Sequence, residues 1–370
     1  MISFKPTEEQ ELIRDTLREF ATGELRDVSR PSDEASQVPS ELLEKVWELG
    51  LVNSAIPEKF GGGGMERSPV TNAIVLEELG YGCVSLAAAA VAPSLFVQPL
   101  LDFGTDDQKA EYLPLFTTSN YHVASLALEE PSFVFDLANL KTLAEVKGDG
   151  YELSGTKRLV PMGDRASHFL VVARAGTRQG LEDLEAFIVP RNAPGLTIRS
   201  EPEKTMGLRS LPFAQLDLDR VAVNKTDRLG GEAGIDGLRL VNSCRLGSLA
   251  LALGLSRAVL ELSIPYAKER IAFGQPIAQK QAIAFRLAEM QIEVNSMRWL
   301  ILKAASQLEQ GLDATRAATL AQTYVTRETM KIADNGVQIF GGHGYIRDYP
   351  IEMWYRNART LTVLQGVCAL

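Results

Sequence analysis

The chain reads as an α+β protein in three parts: an N-terminal helical domain over 1–120, a middle antiparallel β-sheet or barrel domain over 121–228, and a C-terminal four-helix bundle over 229–370. Three observations carry this. Apolar residues recur at helical spacing toward both ends of the chain. Between them, from about residue 121, they fall in short segments rich in β-branched residues, separated by Gly, Pro, Asp and Asn. Finally, LGSLALALGLSRAVLELSIPYAKER is apolar nearly all round, as a helix inside a bundle must be.

In the first part, Leu12, Ile13, Leu17 and Phe20 mark one helical face. A second helix runs from about Ser40 to Leu49 and stops at Gly50. The run Gly61–Gly64 is a turn, since glycines alone are weak support for phosphate binding. VTNAIVLEELGYG is a further helix that ends at glycine. The middle part offers YHVASLALEE, YELSGTKRLV, SHFLVVARA, LEAFIVP, LTIRSE and FAQLDLDRVAV as strands. From about Gly231 the chain is helical again, with stretches at about 277–310, 313–340 and 350–360 after the apolar helix.

Composition bounds the function. With 370 residues, 45% hydrophobic and 23% charged, the chain is long enough for two or three structural units. A net charge of −9 argues against nucleic acid, which needs clustered Lys and Arg. Cys83, Cys244 and Cys368 form no CxxC pair, and His122, His168 and His343 have no ligand spacing. Neither a disulfide framework nor a metal site is expected, and a reducing cytoplasm fits. The N-terminal segment is amphipathic and acidic, unlike a signal peptide, and the longest apolar run, Leu246–Leu255, is too short to span a bilayer.

Residues 338–366, QIFGGHGYIRDYPIEMWYRNARTLTVLQG, and the segment YAKERIAFGQPIAQKQ resemble the acyl-CoA dehydrogenase family of flavoproteins. The helix–strand–helix order extends that resemblance over the whole chain. It implies a dimer or dimer of dimers assembled through the C-terminal bundle, FAD at a subunit interface, an acyl-CoA substrate and an electron-transfer flavoprotein as acceptor.

Position by position, the resemblance divides. Tyr266, Arg270, Phe273, Gly274 and Gln281, with Gln338, Gly341, Gly342 and Gly344, match the family residues that reach across the interface to the neighbouring subunit's FAD. Arg270 suits a phosphate bidentately, and the glycines allow close backbone approach. Singly, a Gly-Gly pair is a helix cap and a terminal Arg favours the helix dipole. Both segments together at the family's order and spacing point to the cofactor.

The residues for a subunit's own flavin do not match. Where the family has T-E-P-x-A-G-S-D, this chain has Glu129, Glu130, Pro131, Ser132, Phe133, Val134, Phe135 and Asp136. The family's flavin-covering tryptophan is Leu159, and the threonine that bonds the flavin edge is Pro161. The glutamate that takes the α-proton in most of the family is Gln365, whose neutral amide cannot accept it. The alternative position for that base, just before Arg245, holds Cys244. Arg245 is expected at the inner end of any surviving substrate pocket, with Phe133 and Phe135 narrowing its mouth.

The resemblance therefore implies a non-catalytic subunit that completes the FAD site of a paralogous catalytic subunit, carrying out α,β-dehydrogenation of an acyl-CoA. Two alternatives stand beside it. One is an active homo-oligomeric flavoenzyme with a relocated base, Glu129 or Glu130, or with oxygenase-type chemistry; against it, the two glutamates read as a solvated pair at a strand end. The other is a flavin-free scaffold.

Overall fold

The computed structural model describes residues 5–132, 135–176, 180–199 and 201–370. Phe133 and Val134, which bear on the flavin loop and the pocket mouth, lie outside the described residues. The N-terminal part contains α1 (Glu8–Phe20), α2 (Arg26–Ala35), α3 (Ser40–Glu48), α4 (Pro69–Val91), α5 (Ser94–Phe103) and α6 (Asp106–Tyr112). α1 and α6 start at reciprocal caps. The hydroxyls of Thr7 and Thr105 accept from the backbone N–H of Gln10 and Gln108, and those glutamines accept in return. After α3, Gly50 adopts φ 70°, the left-handed turn that ends the helix where the sequence places it.

The helix expected to end at Gly82 breaks there, with Cys83 at φ −159° and ψ 109°, and then resumes to Val91. The glycines here have a second use. A Cβ on Gly80 would strike the Leu251 carbonyl of α7 (Gly237–Glu269), and a Cβ on Gly254 of α7 would strike the Glu77 carbonyl of α4. The two helices thus cross backbone to backbone. Both have the length and composition of a membrane span, and both are mostly buried as core helices of this fold. Beside the crossing, Arg257 reaches Glu77 at 2.6 Å and Glu78 at 2.8 Å, while Arg298 holds Glu77 at 2.6 Å. Burial alone would raise the Glu77 pKa, but the two guanidinium groups bring it below the ordinary carboxylate value.

The middle part is a curled seven-stranded sheet: β1 (Ala124–Ala127), β2 (Leu143–Lys147), β3 (Gly150–Pro161), β4 (His168–Arg174), β5 (Leu184–Pro190), β6 (Leu196–Ile198) and β7 (Phe213–Asn224). The order is β1-β4-β2-β3-β7-β6, with β5 on β4. Most pairs are antiparallel, but β1 runs parallel to β4, and β2 meets the end of β4 in parallel at Leu143 and Arg174. β2 is a strand the sequence reading did not mark. The long β3–β7 ladder shifts register twice, between Leu153 and Gly155 and between Lys157 and Val160.

The C-terminal part continues from α7 through the hairpin β8 (Ile271–Ala272) and β9 (Gln275–Pro276) to α8 (Gln281–Glu309), α9 (Thr315–Phe340) and α10 (Ile351–Leu361). α8 starts later than its apolar pattern suggests, because Ile277–Gln279 form a 3-10 turn and Lys280 is extended. One apolar cluster runs from α1 and α4 through the inner face of the sheet into α7, α8, α9 and α10, so the three parts share a core.

Candidate cofactor and substrate site

The two segments expected to hold a neighbour's cofactor come together at one end of the bundle. Tyr266, in the last turn of α7, stacks on Phe340 at the end of α9, ring centroids 3.9 Å apart and planes 15° from parallel. Its hydroxyl donates to the Phe340 carbonyl at 3.2 Å and lies 2.8 Å from His343 Nδ1. Tyr349 closes the cluster edge-on, 5.0 Å from Phe340. This aromatic knot sets the Arg270 end of α7 beside the Gln338–Gly342 end of α9.

From this knot the candidate residues point outward. Arg270 leaves α7 in an extended conformation, and its carbonyl accepts from the Ile277 N–H at 2.9 Å, closing the β8–β9 hairpin. The hairpin turn is Phe273–Gly274, with φ 55° and 78°. Two positive φ values match the twist of a two-residue hairpin, and the first falls on a bulky residue that disfavours it. The Phe273 ring is 94% exposed. Arg270, Gln281, Gln338, Gly341 and Gly342 are exposed as well. Gly341 has φ 56° and ψ −127°, a combination open essentially to glycine. A Cβ added at Gly274, Gly341 or Gly342 would meet nothing within 4 Å. Among the described residues no carboxylate pairs with Arg270. Such an open cradle of backbone, with one free guanidinium and an aromatic ring, fits the phosphate and adenine end of FAD approaching from outside the chain.

The position where the base was expected holds an amide with partners on two sides. Arg245, in α7, donates to Gln365 Oε1 from Nε at 3.3 Å and from Nη2 at 3.2 Å. Gln365's backbone N–H donates to Glu129 Oε1 at 2.8 Å. Cys244 sits behind, fully buried, 2.6 Å from where a Gly366 Cβ would be. Burial pushes the Cys244 thiol up to about 12, so it is a packing residue and no thiolate base. The segment after Gln365 turns inward. The Val367 N–H donates to Ser248 Oγ at 2.9 Å and the Ala369 N–H to Ser94 Oγ at 3.1 Å.

The two glutamates are not the solvated pair expected. Glu129 is held against the chain by the Gln365 N–H, and burial raises its carboxyl to about 7, opposed by that hydrogen bond and by Arg158 and supported by Glu203. Glu130 is 6% exposed and pairs with the fully buried Lys157 at 2.9 Å. Its oxygens also accept from the backbone N–H of Lys141 and Thr142. These contacts keep Glu130 ionised against the cost of burial, which itself pulls Lys157 down to about 8. Long-range partners, invisible in the local sequence, bury Glu130 and half-bury Glu129.

Leu159 and Pro161, expected at a subunit's own flavin, lie at the second register shift in β3 and just beyond it. At the register shift in β3 the Arg158 N–H donates to the Glu129 carbonyl at 2.9 Å, and the Leu159 N–H donates to Glu203 Oε1 at 2.6 Å. Leu159 takes φ 52°, left-handed for a branched side chain. Arg158 Nε also reaches Glu203, at 3.0 Å. Glu203 is therefore the anchor of the bulge, and no period or motif in the sequence singles it out. Pro161 lacks an N–H, and its carbonyl is taken by the Ser125 hydroxyl at 2.6 Å. Phe135 is partly buried nearby on a loop whose cavity, about 470 Å³, is lined by Glu130, Asp136, Lys141 and Thr156. This face carries Glu129 and offers neither an aromatic ring at 159 nor a hydroxyl at 161.

Comparison with known proteins covers all three parts. Models of the N-terminal, middle and C-terminal domains of acyl-CoA dehydrogenase match residues 7–120, 125–221 and 238–368. An acyl-CoA dehydrogenase of Bacillus subtilis is 32% identical over 365 residues, covering 97% of this chain and 95% of that protein. The butyryl-CoA dehydrogenase of Megasphaera elsdenii superposes with a TM-score of 0.89 at 28% identity over 99% of this chain and 96% of the other. A chain from a structure described as the electron transferring flavoprotein of Acidaminococcus fermentans gives 0.88 at 32% identity, covering 99% and 96%. With every part matched by its own domain model and near-complete coverage in both directions, the chain belongs to the acyl-CoA dehydrogenase family.

Proposed function

We propose that this chain is a subunit that completes the FAD site of a paralogous acyl-CoA dehydrogenase and does not itself catalyse the α,β-dehydrogenation. The observation that carries this reading is an asymmetry. The residues suited to another subunit's cofactor are intact and open: Arg270, Phe273, Gln281, Gln338, Gly341 and Gly342. The residues for the chain's own reaction are replaced or sequestered: Gln365 beneath Arg245, Leu159 in a bulge, Pro161 without a donor.

In the complex, FAD bound mainly to the partner supplies the acceptor for the β-hydride. This chain's part is binding and positioning. Arg270 would hold a pyrophosphate by paired N–H donors, the Gly341–Gly342 backbone would lie against it, and Phe273 would cover the adenine end. Gln365 cannot take the α-proton, so the proton is removed by the partner's own carboxylate. The acyl-CoA substrate belongs to the partner, and electrons would pass to an electron-transfer flavoprotein, a reading supported by the likeness to the A. fermentans chain. A reducing cytoplasm suits the three buried thiols.

The test is the visible spectrum of the purified chain, alone and co-expressed with its paralogue. A colourless chain that turns yellow only in a stoichiometric complex is the expected result. Isolated chain that carries stoichiometric FAD and oxidises an acyl-CoA would overturn the reading.

One observation favours a second reading, an active enzyme with a relocated base. Glu129 lies against Gln365 and stays protonated to about pH 7, the range in which a general base works. Loss of turnover in Glu129→Gln, with FAD content unchanged, would support it.

A further inference from the structure

We propose that Arg245 is the binding group of a site for a small carboxylate, left open by the amide at position 365. The inference rests on this chain's own residues and does not depend on the partner-subunit reading.

Arg245 is a half-buried cation without a counter-ion. Among the described residues its guanidinium has one acceptor, the neutral Gln365 Oε1, at 3.2 and 3.3 Å. Those distances are long for a charged donor, which closes to about 2.7–2.9 Å on a carboxylate. The ionisable neighbour that bears on it is Cys244, a thiol that burial keeps neutral. Several other buried or half-buried arginines do have carboxylate partners. Arg67 pairs with Asp102, Arg257 with Glu77 and Glu78, and Arg356 with Asp33 and Glu352. A half-buried guanidinium whose one acceptor is a neutral amide keeps donors that an anion can fill.

The surroundings define which anion. The Arg fork matches the planar carboxylate in a two-bond contact. Glu129, on the other side of Gln365, already takes the Gln365 N–H, so the guanidinium alone is left to receive the anion. Gly366, next in the chain to Gln365, is partly exposed, and a Cβ there would strike Cys244. A monocarboxylate the size of acetate, or the terminal carboxylate of a short dicarboxylic acid, meets these conditions.

The experiment titrates the full-length chain with sodium acetate and with glutarate, replacing chloride at constant ionic strength, and follows binding by calorimetry and thermal unfolding. Saturable binding with a rise in Tm over chloride is expected. Gln365→Glu should raise Tm without ligand and weaken acetate binding about 10-fold or more, because its own carboxylate now meets Arg245. Gln365→Ala should keep the binding, and Arg245→Gln should abolish it. The Gln365 pair decides the matter even if Arg245→Gln fails to fold. Acetate acting no differently from chloride, or binding undiminished in Gln365→Glu, would overturn the proposal. Neither result bears on flavin transfer to a partner, which the spectrum of the complex reports separately.

Discussion

Tyr266 and Phe340 lie face to face, 3.9 Å between ring centroids, although 74 residues separate them in the chain. Their stack fixes the distance between the two loops that carry Arg270 and Gly341. Tyr266→Phe removes only the hydroxyl contacts and should cost about 1 kcal/mol in urea unfolding. Tyr266→Ala should cost about 2–3 kcal/mol and, in the co-expressed complex, lower the flavin content as the loops part. Full flavin content in the alanine variant would mean that the stack does not set the cradle.

Glu129 gives the fold a pH dependence of known sign. Its folded pKa, about 7, lies above the ordinary carboxyl value of 4.5. The stability it contributes is complete below about pH 4.5 and is lost as pH rises through about 7. Glu129→Gln should abolish that part of the slope and leave the variant more stable than the parent above pH 7, by ~3 kcal/mol at most. Guanidinium titrations at pH 5 and pH 8 would show it, and parallel curves for the two proteins would refute it.

The Lys157–Glu130 pair should behave as a unit. Lys157 is fully buried and also donates to the Leu128 carbonyl at 3.1 Å. Lys157→Met strands a buried carboxylate and should cost about 3–5 kcal/mol, whereas adding Glu130→Gln should restore part of that loss. Additive losses in the double-mutant cycle would argue against coupling.

Glycines at the α4–α7 crossing and at the open end of α9 should respond in opposite ways. Gly254→Ala forces a Cβ into the α4 backbone and should destabilise the isolated chain by several kcal/mol, on the order of 3. Gly342→Ala adds a methyl to open space and should leave the isolated chain's Tm unchanged while reducing flavin retention in the complex. Unchanged retention would remove Gly342 from the cofactor's contacts.

Much of this architecture is legible from periodicity. The change of period near Tyr121 marks where helices give way to strands, and the apolar run 246–265 identifies the buried α7. What escaped depends on contacts distant in sequence. β2 has the composition Leu-Ala-Glu-Val-Lys, which suits a helix as well as a strand, and only pairing with β3 decides it. The burial of Glu129 and Glu130 depends on Gln365 and Lys157, and the bulge at Leu159 depends on Glu203. The aromatic knot explains why two motifs far apart in sequence form one surface, a relation that spacing alone does not reveal.

The crossing of α4 and α7 at Gly80 and Gly254 has a mechanical consequence. Helices in backbone contact cannot slide or hinge past each other without opening a void, so the N-terminal and C-terminal parts move as one body. The sheet is fastened to that body too, through the Ser85–Ser210 hydroxyl pair at 2.7 Å and the Leu208 N–H bond to Asn357 at 2.7 Å. The Phe273 hairpin is therefore carried like a bracket on a stiff body, and on the proposed reading little flexibility of that body would be lost on docking.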